Sequence, residues 1–214
     1  MPRRSTPKKL LLSLAALGTA GAIAGLGTFA TFTSTTSASH SVTAGKVEIA
    51  LGTSGTANRL SVSATNVVPG DTINRVLDLI STSTDAMKTV NLTTTASASS
   101  VLDTNTTDGL QMYIRNCSTA WTEAGSSPAF TYTCGGTASA VLGSSGSPVN
   151  IITTTVGGVS LTNLSSTTTA GPVTDHLLIT VVLPQSNTSA NLTTPPSSTI
   201  LYSFTGTQRD GTVR

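Results

Sequence analysis

From residue 46 onward, apolar side chains recur at every second position, and no stretch sustains the spacing of an amphipathic helix. Val47, Ile49 and Leu51 alternate with Lys46, Glu48 and Ala50, the period of a strand with one buried face. The pattern returns in Leu60-Ser-Val-Ser-Ala, in Met87 to Ala96 through Val90, Leu92 and Thr94, and in Leu110, Met112 and Ile114 set against Gln111, Tyr113 and Arg115. Ile73 to Ile80 and Leu177 to Leu183 are more continuously apolar, as strands inside a sandwich are. An aromatic strand carries Phe130 and Tyr132, and a last strand runs from Ile200 to Arg209 before Asp210-Gly211. Pro69-Gly70-Asp71 is a turn signal, since Pro presets φ and Gly accepts φ > 0. Around eight strands with intervening turns predict an all-β chain, an antiparallel β-sandwich occupying residues 46–214 as one domain.

The connections are long and rich in Ser, Thr and Gly. Val101 to Gly109 reads as a link, Gly135 to Ala170 as loops with one short helix or strand near Val149 to Leu164, and Ser186 to Pro196 as a polar excursion. Ser and Thr make up about a third of the chain, well above ordinary usage, while only 9% of residues are charged. Thr is β-branched and suits a pleated surface, so the polar exterior is built from strands rather than charged helices.

The first 45 residues follow other rules. Arg3, Arg4, Lys8 and Lys9 precede an uncharged run from Leu10 to Leu26, rich in Leu, Ala and Gly. Thr28-Phe29-Ala30 closes that run with small side chains at its first and third positions, the pattern a signal peptidase reads. The expected layout is a signal peptide over 1–30, cut between Ala30 and Thr31, with the membrane involved only before cleavage; a retained anchor is the rival. Cleavage removes four cations and takes the formal charge from +2 to about −2, so nothing resembling a nucleic-acid footprint remains. Residues 31–45 form an arm in which Thr31, Phe32, Thr33, Thr35 and Val42 stand among further Ser, Thr and Ala. On the residues alone this arm is either a strand offered to another sheet or a frayed terminus.

Candidate chemistry is sparse. Hydrolysis needs a nucleophile with a base, or a metal with several ligands, and the two histidines limit both. His40 lies in the arm, and His176 is expected at a solvated strand entry beside Asp175. No His-Glu-x-x-His pattern occurs, and Gly135-Gly136 and Gly157-Gly158 read as turns rather than phosphate cradles. The expectation is therefore no catalytic residue, no cofactor and no metal ligand. Cys117 and Cys134 flank Trp121; in an exported chain two cysteines imply a disulfide, whose loop closure contributes about 3 kcal/mol in the chain-entropy model.

Taken in order, these segments resemble the TasA/camelysin family of secreted bacterial proteins. The resemblance rests on the signal ending Gly27-Thr-Phe-Ala-Thr-Phe-Thr and on Val42-Thr-Ala-Gly-Lys-Val-Glu-Ile-Ala-Leu. It continues through Val68-Pro-Gly-Asp, the apolar strand ending Leu183-Pro, and the terminal Phe204-Thr-Gly-Thr-Gln-Arg. The stretch Asn191-Leu-Thr-Thr-Pro departs from the Asn-x-Tyr-Gln-Gly common there. The resemblance implies a jelly-roll-like sandwich, a location outside the cell or on its surface, and assembly into biofilm-matrix fibres. The partners are then copies of the chain itself, joined head to tail by the arm, together with other matrix proteins. Two other functions stand beside this one: a camelysin-like secreted metalloendopeptidase, and a monomeric surface adhesin or carbohydrate-binding module.

Overall fold

Why the alternating segments become a sandwich is visible in how their inner faces meet. The computed structural model describes residues 48–52, 55–56, 58–60, 67–186 and 196–211. Among them are eleven strands: β1 (Ile49–Leu51), β2 (Thr72–Ser81), β3 (Met87–Ala98), β4 (Gln111–Cys117), β5 (Trp121–Ser126), β6 (Ala129–Cys134), β7 (Ala138–Leu142), β8 (Val149–Asn150), β9 (Val159–Leu161), β10 (Val173–Val182) and β11 (Thr199–Gln208). A one-turn helix, α1 (Val101–Thr104), and a 3-10 turn, Ser165–Thr167, complete the inventory.

The larger sheet has the order β1-β2-β10-β4-β7, with β8 sharing the β7 side of β4; the smaller has the order β11-β3-β9. All pairings are antiparallel. Leu77 sits opposite Leu177 and Ile179 opposite Ile114, so one face of the larger sheet is a continuous aliphatic surface. It packs on Met87, Val90, Leu92 and Leu161 of the smaller sheet, all buried in the same core cluster. Each such side chain contributes about 1.5–3 kcal/mol on leaving water. The sequence expectation of an all-β antiparallel sandwich holds.

Several polar groups within the core are paired, although Asn116 Oδ1 and Ser166 Oγ are buried without a hydrogen-bond partner. Thr94 is fully buried, yet its hydroxyl donates to Ile151 O at 2.6 Å and accepts from Thr153 N at 2.9 Å. Asp175, also fully buried, accepts from Ser165 N, Ser166 N and Asn116 Nδ2, fastening the 3-10 turn and β4 to β10. At the Pro69-Gly70-Asp71 turn, Gly70 has φ 95°, which its missing Cβ permits. Gly70 N donates to Leu183 O and Leu183 N to Asp71 O, tying the turn to the end of β10.

Several details differ from the sequence reading. The expected loop region 135–170 contains β7, β8, β9 and the 3-10 turn, because short strands of two to five residues carry too few alternations to be read. The link at 101–109 begins with α1, closed by a capping box in which Ser100 and Asp103 satisfy each other's backbone ends. The strand expected at Leu60-Ser-Val-Ser-Ala falls almost wholly outside the described residues, where Leu60 itself lies in a turn. Most of the Ser186–Pro196 excursion lies outside them as well.

Candidate functional site

Two places carry the side chains from which a function could be built: the face of the larger sheet turned away from the core, and the open sheet edges. On that outer face Val76 and Leu178 are direct strand partners, both buried and neither part of the main core cluster. The β5–β6 hairpin lies against them. Three devices hold it there.

The first is covalent. Cys117 at the end of β4 and Cys134 at the end of β6 are joined by a disulfide, as expected from the sequence. The second is Trp121, whose Nε1 donates to His176 O at 2.8 Å while the Arg115 guanidinium lies 5.3 Å from its ring centre. The third is a charged cluster: Arg59 meets Glu123 through two hydrogen bonds, Nε to Oε2 at 2.9 Å and Nη2 to Oε1 at 2.8 Å. The Tyr132 hydroxyl donates to the same carboxylate at 2.9 Å. Arg59 and Arg75 both approach the Phe130 ring, at 4.9 and 5.6 Å from its centre. The Arg59 bonds hold the Glu123 carboxyl below the usual range against the opposing effect of burial. Burial, then Glu123, pushes the Tyr132 phenol up. Arg59 and Glu123 stand 64 residues apart, and no local pattern connects them.

His176 is not at a strand entry. It lies within β10, between β2 and β4, with Nδ1 2.7 Å from Asp78 Oδ1. Asp175, its neighbour in sequence, is not its partner, because adjacent residues of a strand point to opposite faces and Asp175 turns inward. A small cavity beside the His176–Asp78 pair is lined by Thr56, Val76, Asp78, Ala120 and Trp121.

The open edges form the second place. On its outer side β11 has no partner strand among the described residues, and β11 is ten residues long. The far edge of the larger sheet is divided between β7 and β8, with a register shift between Ile114 and Arg115. The signal-peptidase positions Thr28, Ala30 and Thr31 lie outside the described residues. So do the arm residues Phe32, Thr33, Thr35 and Val42, together with His40.

Residues 6–120, just over half of the chain, match the family described as camelysin metallo-endopeptidase. The chain belongs to that family. No curated protein matches it. Camelysin/TasA proteins are secreted or found at the cell surface, a setting in which the Cys117–Cys134 disulfide persists. The family description implies a metal, and the described residues do not fit one. No group of three or more His, Cys, Asp or Glu side chains converges among them. Asp78 and His176 supply two donors where a zinc site takes at least three from protein, Glu123 is committed to Arg59, and both cysteines are oxidised. No catalytic step through a metal is derived from these residues.

Proposed function

We propose that this camelysin-family protein is a structural subunit rather than an enzyme, exported, cleaved after Ala30, and assembled into extracellular matrix fibres. In each joint the mature N-terminal segment, Thr31 to Val42, pairs as an extra strand with the sheet of the next copy. Family membership supports secretion. The observation that carries the mechanism is the composition of the chain ahead of the strand expected at Val47 to Leu51. Thr31 to Val42 is uncharged, free of Pro and rich in β-branched Thr. Contacts that run head to tail without closing generate filaments.

Each joint gains main-chain hydrogen bonds worth roughly 0.5–1.5 kcal/mol apiece, and Phe32 adds about 1.5–3 kcal/mol on burial. Deleting Thr31 to Ala38 is expected to leave a folded monomer that makes no fibres, as seen by circular dichroism and electron microscopy. Normal fibres from the deleted chain would refute arm donation. The family description favours a second reading, a secreted metallo-endopeptidase. Chelator-sensitive proteolysis by a clean recombinant sample, abolished by His176→Ala, would establish it.

A further inference from the structure

Strand donation needs an acceptor, and the two sheets are unequal in a way that identifies one. In β3, Leu92 and Thr94 are completely buried. Their direct partners on β11, Phe204 and Tyr202, point into the same core but are less completely enclosed, as is Ile200 on the same face, although Tyr202 is buried deeply enough to push its phenol up. Antiparallel neighbours share one face, so this step in burial across a single strand spacing marks the place where a further strand would lie. Among the described residues, the strand of the larger sheet that reaches toward β11, β1, has three residues against the ten of β11.

Among the described residues the other edges of the two core sheets are closed or broken, while the β5–β6 hairpin has edges of only six residues. Carbonyls of Val76 and Asp78 on β2 accept from Arg59 N and Gly52 N. The β7/β8 edge is split into strands of five and two residues. β9 has three residues, and just past it Thr162 N donates to Val141 O of β7, linking the sheets on that side. Short, interrupted edges are how proteins prevent unwanted pairing; a long regular one is a template. The register shifts of β11 fall only at its two ends, between Thr199 and Ile200 and between Thr207 and Gln208, so the middle of the strand is uninterrupted.

We propose that the outer edge of β11 is the acceptor, and that its occupant is Thr31 to Val42 of a second copy. This assignment rests on the fibre reading and adds where the joint forms. The twelve-residue segment matches the ten residues of β11. With a period of two, Thr31, Thr33, Thr35, Ser37, Ser39 and Ser41 make one face entirely hydroxyl. That face continues the outward row of β11, where Thr199, Ser203, Thr205 and Thr207 are exposed together with Leu201. The opposite face carries Phe32, Ser34, Thr36, Ala38, His40 and Val42, of which Phe32, Ala38 and Val42 are the apolar groups available to cover Ile200, Tyr202 and Phe204.

The test is hydrogen exchange by mass spectrometry on the mature chain, as dilute monomer and as fibre. Assembly is expected to slow exchange in peptides covering 199–208 by at least tenfold, with those covering 138–142 and 159–161 unchanged. Fibres that protect 138–142 or 159–161 instead would overturn the β11 assignment while leaving strand donation standing. A mature chain that makes no fibres at any concentration would overturn the fibre reading, and the acceptor with it. A trapping arm gives an independent outcome: Leu201→Cys on β11, whose parent side chain is 53% exposed, paired with Thr35→Cys should give a covalent ladder under oxidation. A ladder no stronger than that from Thr35→Cys alone counts against β11.

Discussion

Replacing Asp175 tests whether the buried polar links, and not only the aliphatic layers, hold the sandwich together. Its carboxylate accepts from Ser165 N at 2.6 Å, Ser166 N at 3.2 Å and Asn116 Nδ2 at 3.2 Å, and no part of it reaches solvent. Asp175→Ala leaves two backbone donors of the 3-10 turn without their acceptor. The Asn116 amide keeps a second acceptor, Asn163 O at 3.2 Å, and loses less. A buried donor stripped of its partner costs about 1–3 kcal/mol, so two backbone donors with a small amide loss give a destabilisation of about 3–4 kcal/mol. With a urea slope of about 2 kcal/mol/M, the unfolding midpoint moves down by about 1.5–2 M. The assay is urea denaturation of the mature chain with its disulfide intact, followed by circular dichroism. Asp210→Ala is the control: its ion pair with Lys88 is exposed, and its loss should change stability by less than about 0.5 kcal/mol. If Asp175→Ala falls within the range of that control, the reasoning about the buried link is wrong.

The Cys117→Ala/Cys134→Ala double variant should lose about 3 kcal/mol, the chain-entropy value for a loop of 17 residues, measured by the same denaturation. Exchange should rise first in peptides of the β5–β6 hairpin. Acid should destabilise the fold through two carboxyls. Hydrogen bonds from Ser198, Ser99 and Ser100 hold Asp103 down although burial opposes them, and Arg59 holds Glu123 down. Both folded values lie below the unfolded ones of 3.8 and 4.5. The stability they add is thus present above those values and is lost as pH falls through the lower folded ones. Glu123→Gln should flatten the acid limb of a stability–pH curve; an unchanged limb would show that the Arg59 pair contributes nothing. Gly158→Ala should cost more than Gly157→Ala by thermal denaturation. Both residues have positive φ, but a Cβ at Gly158 would lie 2.7 Å from Leu92 O, whereas Gly157 faces open space. Equal losses would mean that backbone strain alone matters there.

The long alternating runs determined most of the architecture by themselves. In Met87 to Ala96 and Leu110 to Arg115 a two-residue period sends one set of side chains inward whatever the strand pairs with. The disulfide was legible for a different reason, since two cysteines in an exported chain have one way to pair. What the sequence left open is whatever depends on distance across the fold. Strands of two to five residues such as β7 and β8 have no period to read, and exist because β4 offers them an edge. The Arg59–Glu123 pair joins positions 64 apart, and His176 meets Asp78 rather than adjacent Asp175, because β10 lies beside β2 and alternate side chains take opposite faces. The half-buried row on β11 follows the same logic. Ile200, Tyr202 and Phe204 alternate like any core strand in the sequence, and only the sheet order shows that among the described residues β11 is paired on one side alone.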